Sequence, residues 1–262
     1  MESQTMKKTV VFTLITTLFF AITFTPNLFA AGLVAYWSFD AGTGNVVKDE
    51  SGTGNDGDVK GAKWVNGKFG KAMEFDGKDD FVLIKNHDSY NFAKDDSFTI
   101  CLWIKYQPKG NWQGPLQKFN GGYPFKVEVE PDNDLYFAIY DGSNFPKAFI
   151  GNVNNEWHQC CFIRDAKGKK LLAYLDGEMK EEGKDTTNAE IANAADLYIG
   201  ARKPGNTIGF QGILDEIAIY DRILTEAEIK DAVEGKLPET KKAAVDARNK
   251  LATVWARLKK ER

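Results

Sequence analysis

From Gly32 to Arg222 apolar residues alternate with polar ones or come in short runs, and Gly, Asn and Asp break the runs. A period of two sends successive side chains to opposite faces of a strand, so the pattern predicts about a dozen short strands. The plainest are Leu33 to Phe39, Lys71 to Phe75, Phe81 to Lys85, Phe98 to Tyr106, Phe125 to Val129, Leu135 to Tyr140, Ala148 to Ile150, Trp157 to Arg164, Leu171 to Leu175, Leu197 to Ile199 and Gly212 to Tyr220. Between them Asp76-Gly77, Asn120-Gly121-Gly122, Asp141-Gly142, Lys167-Gly168 and Asp176-Gly177 supply residues that tolerate the positive φ of tight turns. Many strands with almost no helix between them predict an all-β, antiparallel two-sheet jelly-roll sandwich and exclude repeated βαβ units.

The pattern changes at both ends. Thr225, followed three residues later by Glu228, makes a capping box, and Gly235 stands as a stop, so a short C-terminal helix should pack on the sandwich. Beyond Pro238 the residues turn to Lys, Arg, Ala and Glu, with Leu251, Val254, Trp255 and Leu258 on one helical face. Residues 236–262 therefore read as an amphipathic helical tail, docked either on its own domain or on a partner. At the other end Lys7 and Lys8 precede an uncharged run from Thr9 to Phe24 that ends near Leu28-Phe29-Ala30-Ala31. At about 16 residues the run is short for a membrane span of roughly 20, so residues 1–30 read as a signal peptide cut after Ala30 or Ala31, with an uncleaved anchor as the alternative.

A signal peptide places the mature chain outside the cytoplasm: secreted, periplasmic or at the cell surface, with no membrane span of its own. Its removal takes Lys7, Lys8 and Glu2 and moves the net charge from −3 to −4. A mildly acidic chain without a basic block has no electrostatic footprint for nucleic acid or an anionic membrane. Three cysteines, Cys101, Cys160 and Cys161, are too few for a disulfide-built scaffold; they allow at most one bridge, from Cys101 to Cys160 or Cys161, and one odd thiol.

Several segments in order carry a family resemblance. Leu33-Val34-Ala35-Tyr36-Trp37-Ser38-Phe39-Asp40, the loop Asp49 to Gly57, and Gly70-Lys71-Ala72 running to Phe75-Asp76-Gly77 resemble the start of a laminin-G-like, concanavalin-A-like jelly roll. Phe98-Thr99-Ile100 with Trp103, Trp157-His158 to Arg164-Asp165, Tyr174 to Gly177, Ile199-Gly200, and Phe210-Gln211-Gly212 through Asp215-Glu216 to Tyr220 resemble its later strands. The likeness covers residues 32–235. It implies two packed, curved sheets and a secreted or surface protein that binds glycans or other proteins; fold does not fix the ligand.

The candidate chemistry is that of a binding module. A calcium ion needs clustered carboxylate and carbonyl oxygens, and Asp40, Asp49 (or Asp56) and Asp215 are the candidate ligands, with turn acceptors for backbone N–H groups as the alternative role of Asp40 and Asp49. A glycan needs an aromatic platform beside planar polar groups. Trp112 in Lys109-Gly110-Asn111-Trp112-Gln113-Gly114 and the set Asp141, Asn144 and Phe145 are the candidates, whereas Trp37, Trp103 and Trp157 lie in strands and read as core. Glu128 and Glu130 share a strand face at about 7 Å, which makes a retaining glycoside hydrolase the enzymatic alternative to a non-catalytic binding module, and a structural or adhesion protein acting through its C-terminal helix is the other alternative. His158, Cys160 and Cys101 form a weaker candidate zinc set.

Overall fold

The structure is a computed structural model that describes residues 32–119, 122–153, 155–202 and 208–236. The expected leader over 1–30, the expected tail from residue 237 and the Asn120-Gly121 part of one expected turn lie outside the described residues.

Two antiparallel sheets of eight strands each are packed face to face. The first runs β14 (Glu178–Lys184), β13 (Lys170–Leu175), β12 (His158–Asp165), β7 (Phe98–Tyr106), β16 (Gln211–Tyr220), β5 (Lys71–Asp76) and β4 (Lys63–Asn66), and β1 (Leu33–Trp37) also pairs with β16. The second runs β11 (Lys147–Asn152), β10 (Asp134–Tyr140), β9 (Tyr123–Val129), β8 (Gln113–Lys118), β15 (Leu197–Ile199), β6 (Phe81–Ile84), β3 (Gly57–Lys60) and β2 (Val46–Val47). Neighbours that are distant in sequence, such as β7 with β16 and β8 with β15, are what a jelly roll requires.

Alternation builds the core. Phe125, Val127 and Val129 of β9 and Leu135, Phe137 and Ile139 of β10 point between the sheets and meet Phe98, Ile100, Leu102 and Ile104 of β7. Phe98 stacks on Phe92 at 4.3 Å and meets the edge of Phe137 at 6.0 Å, so aromatic rings fill much of the space between the sheets. The outer face of the first sheet carries a smaller apolar cluster: Tyr36, Cys101, Cys161, Ile163, Ala218, Tyr220, Leu224 and Ile229. Ile229 belongs to α1 (Glu226–Val233), which lies over that face. Thr225 Oγ1 accepts from the Glu228 N–H at 3.3 Å and the Glu228 carboxylate accepts from the Thr225 N–H at 2.8 Å, as the capping box requires. Gly235 at φ 70° ends the helix. No helix among the described residues is long and apolar enough to cross a membrane.

Several expectations are corrected. The first strand stops at Trp37, because Phe39 adopts a left-handed backbone at φ 58° that a ladder cannot continue. Trp157 lies before β12 and is half-buried, so it is not core. The bridge joins Cys101 to Cys161, which sit directly opposite each other on β7 and β12. Cys160 is a buried thiol in the core on the opposite face, so a zinc set with Cys101 and His158 does not form; His158 Nδ1 instead lies 2.7 Å from Asp176.

One buried ion is fully answered. Arg164 of β12 is completely buried, and each of its N–H groups has an acceptor. Nε donates to Asp185 at 2.9 Å, the two terminal nitrogens to the carbonyls of Ala93 and Asp96 at 3.1 Å and of Lys94 at 2.6 Å, and one of them to Thr187 at 2.9 Å. The guanidinium thus ties the loop before β7 to the segment after β14.

Candidate functional site

The outer face of the second sheet is unlike an ordinary solvated face. On β9 the residues that alternate with the core set are Lys126 and Glu128, and register places Glu128 opposite Tyr136 of β10. All three are buried, as is Gln117 of β8. Glu128 accepts from Gln117 Nε2 at 2.8 Å and from Arg202 at 3.1 Å through one oxygen, and from Lys126 and the Tyr136 hydroxyl through the other. Burial alone would raise the Glu128 pKa; the Lys126 charge and hydrogen bond, with those of Tyr136 and Gln117, outweigh it and hold the carboxyl below its ordinary value. Burial also lowers the Lys126 pKa against the opposing pull of Glu128.

Aromatic rings roof this ion network. Lys126 Nζ lies 4.7 Å from the ring centre of Tyr123, 4.9 Å from Phe145, 5.1 Å from Tyr136 and 5.9 Å from Trp112. Lys147 Nζ, from β11, lies 4.3 Å from Tyr136, 5.4 Å from Phe149 and 5.5 Å from Phe145. Arg202 lies 5.6 Å from both Phe119 and Tyr123. These are cation–π distances. Trp112 at 39% and Phe145 at 40% exposure are among the most exposed large apolar side chains described, and both belong to this patch. Trp112 and Tyr136 meet nearly perpendicular, with ring centres 6.5 Å apart.

The four glycan candidates divide into two roles. Trp112 and Phe145 come together around Lys126 and Lys147. Asp141 and Asn144 build the turn that carries Phe145. Asp141 accepts from the N–H groups of Ser143 at 3.0 Å and Asn144 at 2.7 Å, from the Asn144 side chain at 3.0 Å and from the Asn188 N–H at 2.8 Å. Burial opposes its charge, but those bonds hold the carboxyl well below the usual range. Gly142 takes φ 96° at the tip.

The metal candidates do not converge. Among the described residues the group of three carboxylates whose ligand atoms lie within 4.8 Å of one another is Asp76, Asp79 and Asp80, and it includes none of Asp40, Asp49 and Asp215. Asp49 is consumed locally: it accepts from the N–H groups of Tyr36 at 3.0 Å, Ser51 at 2.8 Å, Gly54 at 3.1 Å and Asn55 at 2.9 Å, and from the hydroxyls of Ser51 and Thr53. Asp40 accepts from the Lys71 N–H at 3.0 Å. Asp215 is fully buried, and burial, reinforced by the Glu216 charge, pushes its pKa up to about 8 despite the N–H of Phe69 at 3.1 Å. A carboxyl that is mostly protonated at neutral pH is a poor cation ligand, which sets Asp215 apart from the other two candidates. Asp56, the alternate, caps the Asp49 N–H and pairs with Lys48.

The hydrolase pair is also changed by its setting. Glu128 is sealed beneath the rings, and Glu130 lies 2.6 Å from Lys147 Nζ. Sequence reasoning missed Lys126, Tyr136, Lys147 and Arg202, because a charged residue alternating with core positions reads as a wet strand face. The signal that could have found them is Tyr136 and Tyr140, alternate residues of β10 with Tyr136 across from Glu128; Tyr123 joins this face only through a register shift between Ala138 and Tyr140.

Comparison with known proteins agrees with this architecture. A laminin-G-type family model, described as the concanavalin A-like lectin/glucanases superfamily, matches residues 76–230. A search of curated proteins by sequence finds no match. Similar solved structures include the binding domain of Paraclostridial Mosquitocidal Protein 1, at TM-score 0.65 and 18% identity over 77% of this chain and 52% of that one. The botulinum neurotoxin serotype D binding domain has TM-score 0.63 and 13% identity over 78% of this chain and 51% of that one. A serotype D ligand binding domain in complex with N-acetylneuraminic acid has TM-score 0.62 and 13% identity, again over 78% and 51%. This chain thus spans about half the length of each. At these identities the likeness is one of fold. The sheets, their connections and the family match together make this chain a member of the concanavalin A-like lectin/glucanase superfamily.

Proposed function

We propose that this protein is an exported, non-catalytic module that binds carbohydrate through the outer face of its second sheet. The observation that carries the reading is the pair of exposed rings, Trp112 and Phe145, set around the Lys126–Glu128–Arg202 network. Sugar rings offer C–H faces that stack on such platforms and hydroxyls that need fixed polar partners, which the partly accessible Arg202, Lys147 and Glu130 supply. The N-acetylneuraminic acid held by one similar toxin domain supports the same ligand class. Against turnover stand the burial of Glu128, which leaves both of its oxygens hydrogen-bonded, and its lowered pKa, which suits neither an acid nor an accessible nucleophile. Export rests on the leader expected over residues 1–30, and N-terminal sequencing of secreted protein checks it.

The test is a glycan array and polysaccharide pull-down with the full chain, run with calcium and with a chelator. Binding that Trp112→Ala removes without changing the circular dichroism spectrum is the expected result. A wild-type chain that retains no saccharide overturns the reading, and retention that chelation leaves unchanged removes calcium from it.

A further inference from the structure

The charges of the ligand face are unevenly exposed. Lys126 and Glu128 lie at the bottom with 4% and 1% of their side chains accessible, and they neutralise each other there. Above them are Arg202 at 21%, Lys147 at 25% and Glu130 at 20%. The layer that meets solvent therefore holds two cations and one carboxylate, beneath the rings of Trp112, Phe145 and Tyr123. This runs against the chain as a whole, whose net charge is −3. Asp141, the next carboxylate along the loop, does not restore the balance: its oxygens are turned into the Ser143, Asn144 and Asn188 N–H groups.

A neutral sugar seated on Trp112 and Phe145 would answer Lys147 and Arg202 with hydroxyl dipoles but would bring no charge to offset the excess. Three cations share two carboxylates on this face, so covering it buries one net positive charge, which is unfavourable, and low-dielectric ring walls strengthen the attraction for an anion. Arg202 also keeps one terminal nitrogen for an acidic group. Its Nε and one terminal nitrogen are fixed by Gln117 at 3.3 Å and Glu128 at 3.1 Å, which pre-orients the guanidinium at little further entropic cost on binding.

We infer that the ligand of this face is an acidic saccharide, one whose ring stacks on Trp112 and Phe145 while its carboxylate meets Lys147 and Arg202. The inference rests on the proposal that this face binds sugar, and narrows it to a charge class. Glu130 then acts as a negative specificity element, since it draws Lys147 away and repels the acid.

The experiment separates the two claims. The full chain is titrated with polygalacturonate and with polysialic acid, each beside its carboxyl-reduced, uncharged form of the same backbone, at low and high salt. The acidic forms should bind at least about tenfold tighter than the reduced ones, and the preference should shrink with salt. Lys147→Gln should weaken acidic binding about tenfold, and Glu130→Gln should strengthen it. Opposite signs from two partners of one ion pair are not what loss of a structural contact gives, since that would weaken binding in both. Equal binding of acidic and reduced forms, both lost in Trp112→Ala, overturns the acidic class and leaves the sugar site standing. Absence of binding to every saccharide, charged or neutral, overturns both.

Discussion

Replacing Glu128 by Gln keeps the side-chain volume and removes one buried charge. In the native chain that charge answers Lys126 and Arg202 while Gln117 and Tyr136 donate to it. After the substitution the Lys126 ammonium, with 4% of its side chain accessible, has lost its counter-ion and cannot recover hydration. Breaking one side of a buried pair costs about 3–5 kcal/mol. For a domain of this size about 2–4 °C of melting temperature goes with each kcal/mol, so a fall of roughly 6–20 °C is expected in differential scanning calorimetry at neutral pH. The pH dependence has a definite sign. Because the folded pKa of Glu128 lies below the ordinary 4.5, its stabilisation is present in full above that pH and is lost as pH falls through the lower folded value. The gap between wild type and Glu128→Gln should therefore close under acid. A variant as stable as wild type at pH 7, or a gap that does not change with acid, refutes the account of the network. A hydrolytic nucleophile would behave the other way, since the variant would fold as well as wild type and lose only turnover.

Two further outcomes concern the frame that carries the face. Arg164→Met should lose about 3–5 kcal/mol in urea titration, because it strands the buried Asp185 carboxylate and frees three carbonyls; a loss under 1 kcal/mol would mean that the five bonds do not hold in solution. The Cys101–Cys161 bridge closes a sequence separation of 60, for which chain entropy gives about 4 kcal/mol, so the Cys101→Ala/Cys161→Ala pair should lose stability of that order. Thiol titration of the unreduced, denatured chain should count one cysteine, Cys160, and a count of three would exclude the bridge.

What the sequence revealed follows from where a strand's environment is written in its own residues. β7, β10, β12 and β16 carry alternating or continuous apolar sets and could be placed to within a few residues. β14, with the sequence EMKEEGK, and the short β4 could not, because edge strands keep few buried side chains and their pairing is decided by the neighbour; β3, although paired on both sides, is only four residues long and too short to show a period. The cysteines show the same limit: adjacent Cys160 and Cys161 face opposite ways, and only the register against β7 selects Cys161 as the partner of Cys101. In the ligand face the loop rings Trp112 and Phe145 were legible by composition. The ion network was not, since Lys126 and Glu128 look like a solvated face until Tyr136, ten residues beyond Lys126, is paired across from Glu128. Asp49 and Asp141 were read as ligands for the property that makes them turn acceptors, oxygen-rich side chains in Gly-rich loops.

The two ends of the described sandwich sit on the same side. β1 enters along β16, the carbonyl of Gly32 accepts from Asp221 at 2.8 Å, and α1 closes over the outer face of that same first sheet. The opposite face, about 10 Å further on across the sheet packing, is left to Trp112 and Phe145. Gly32 and Lys236, the two described ends, thus lie behind the sheet that carries the rings, and a label placed at either position would report from the rear of the ligand face.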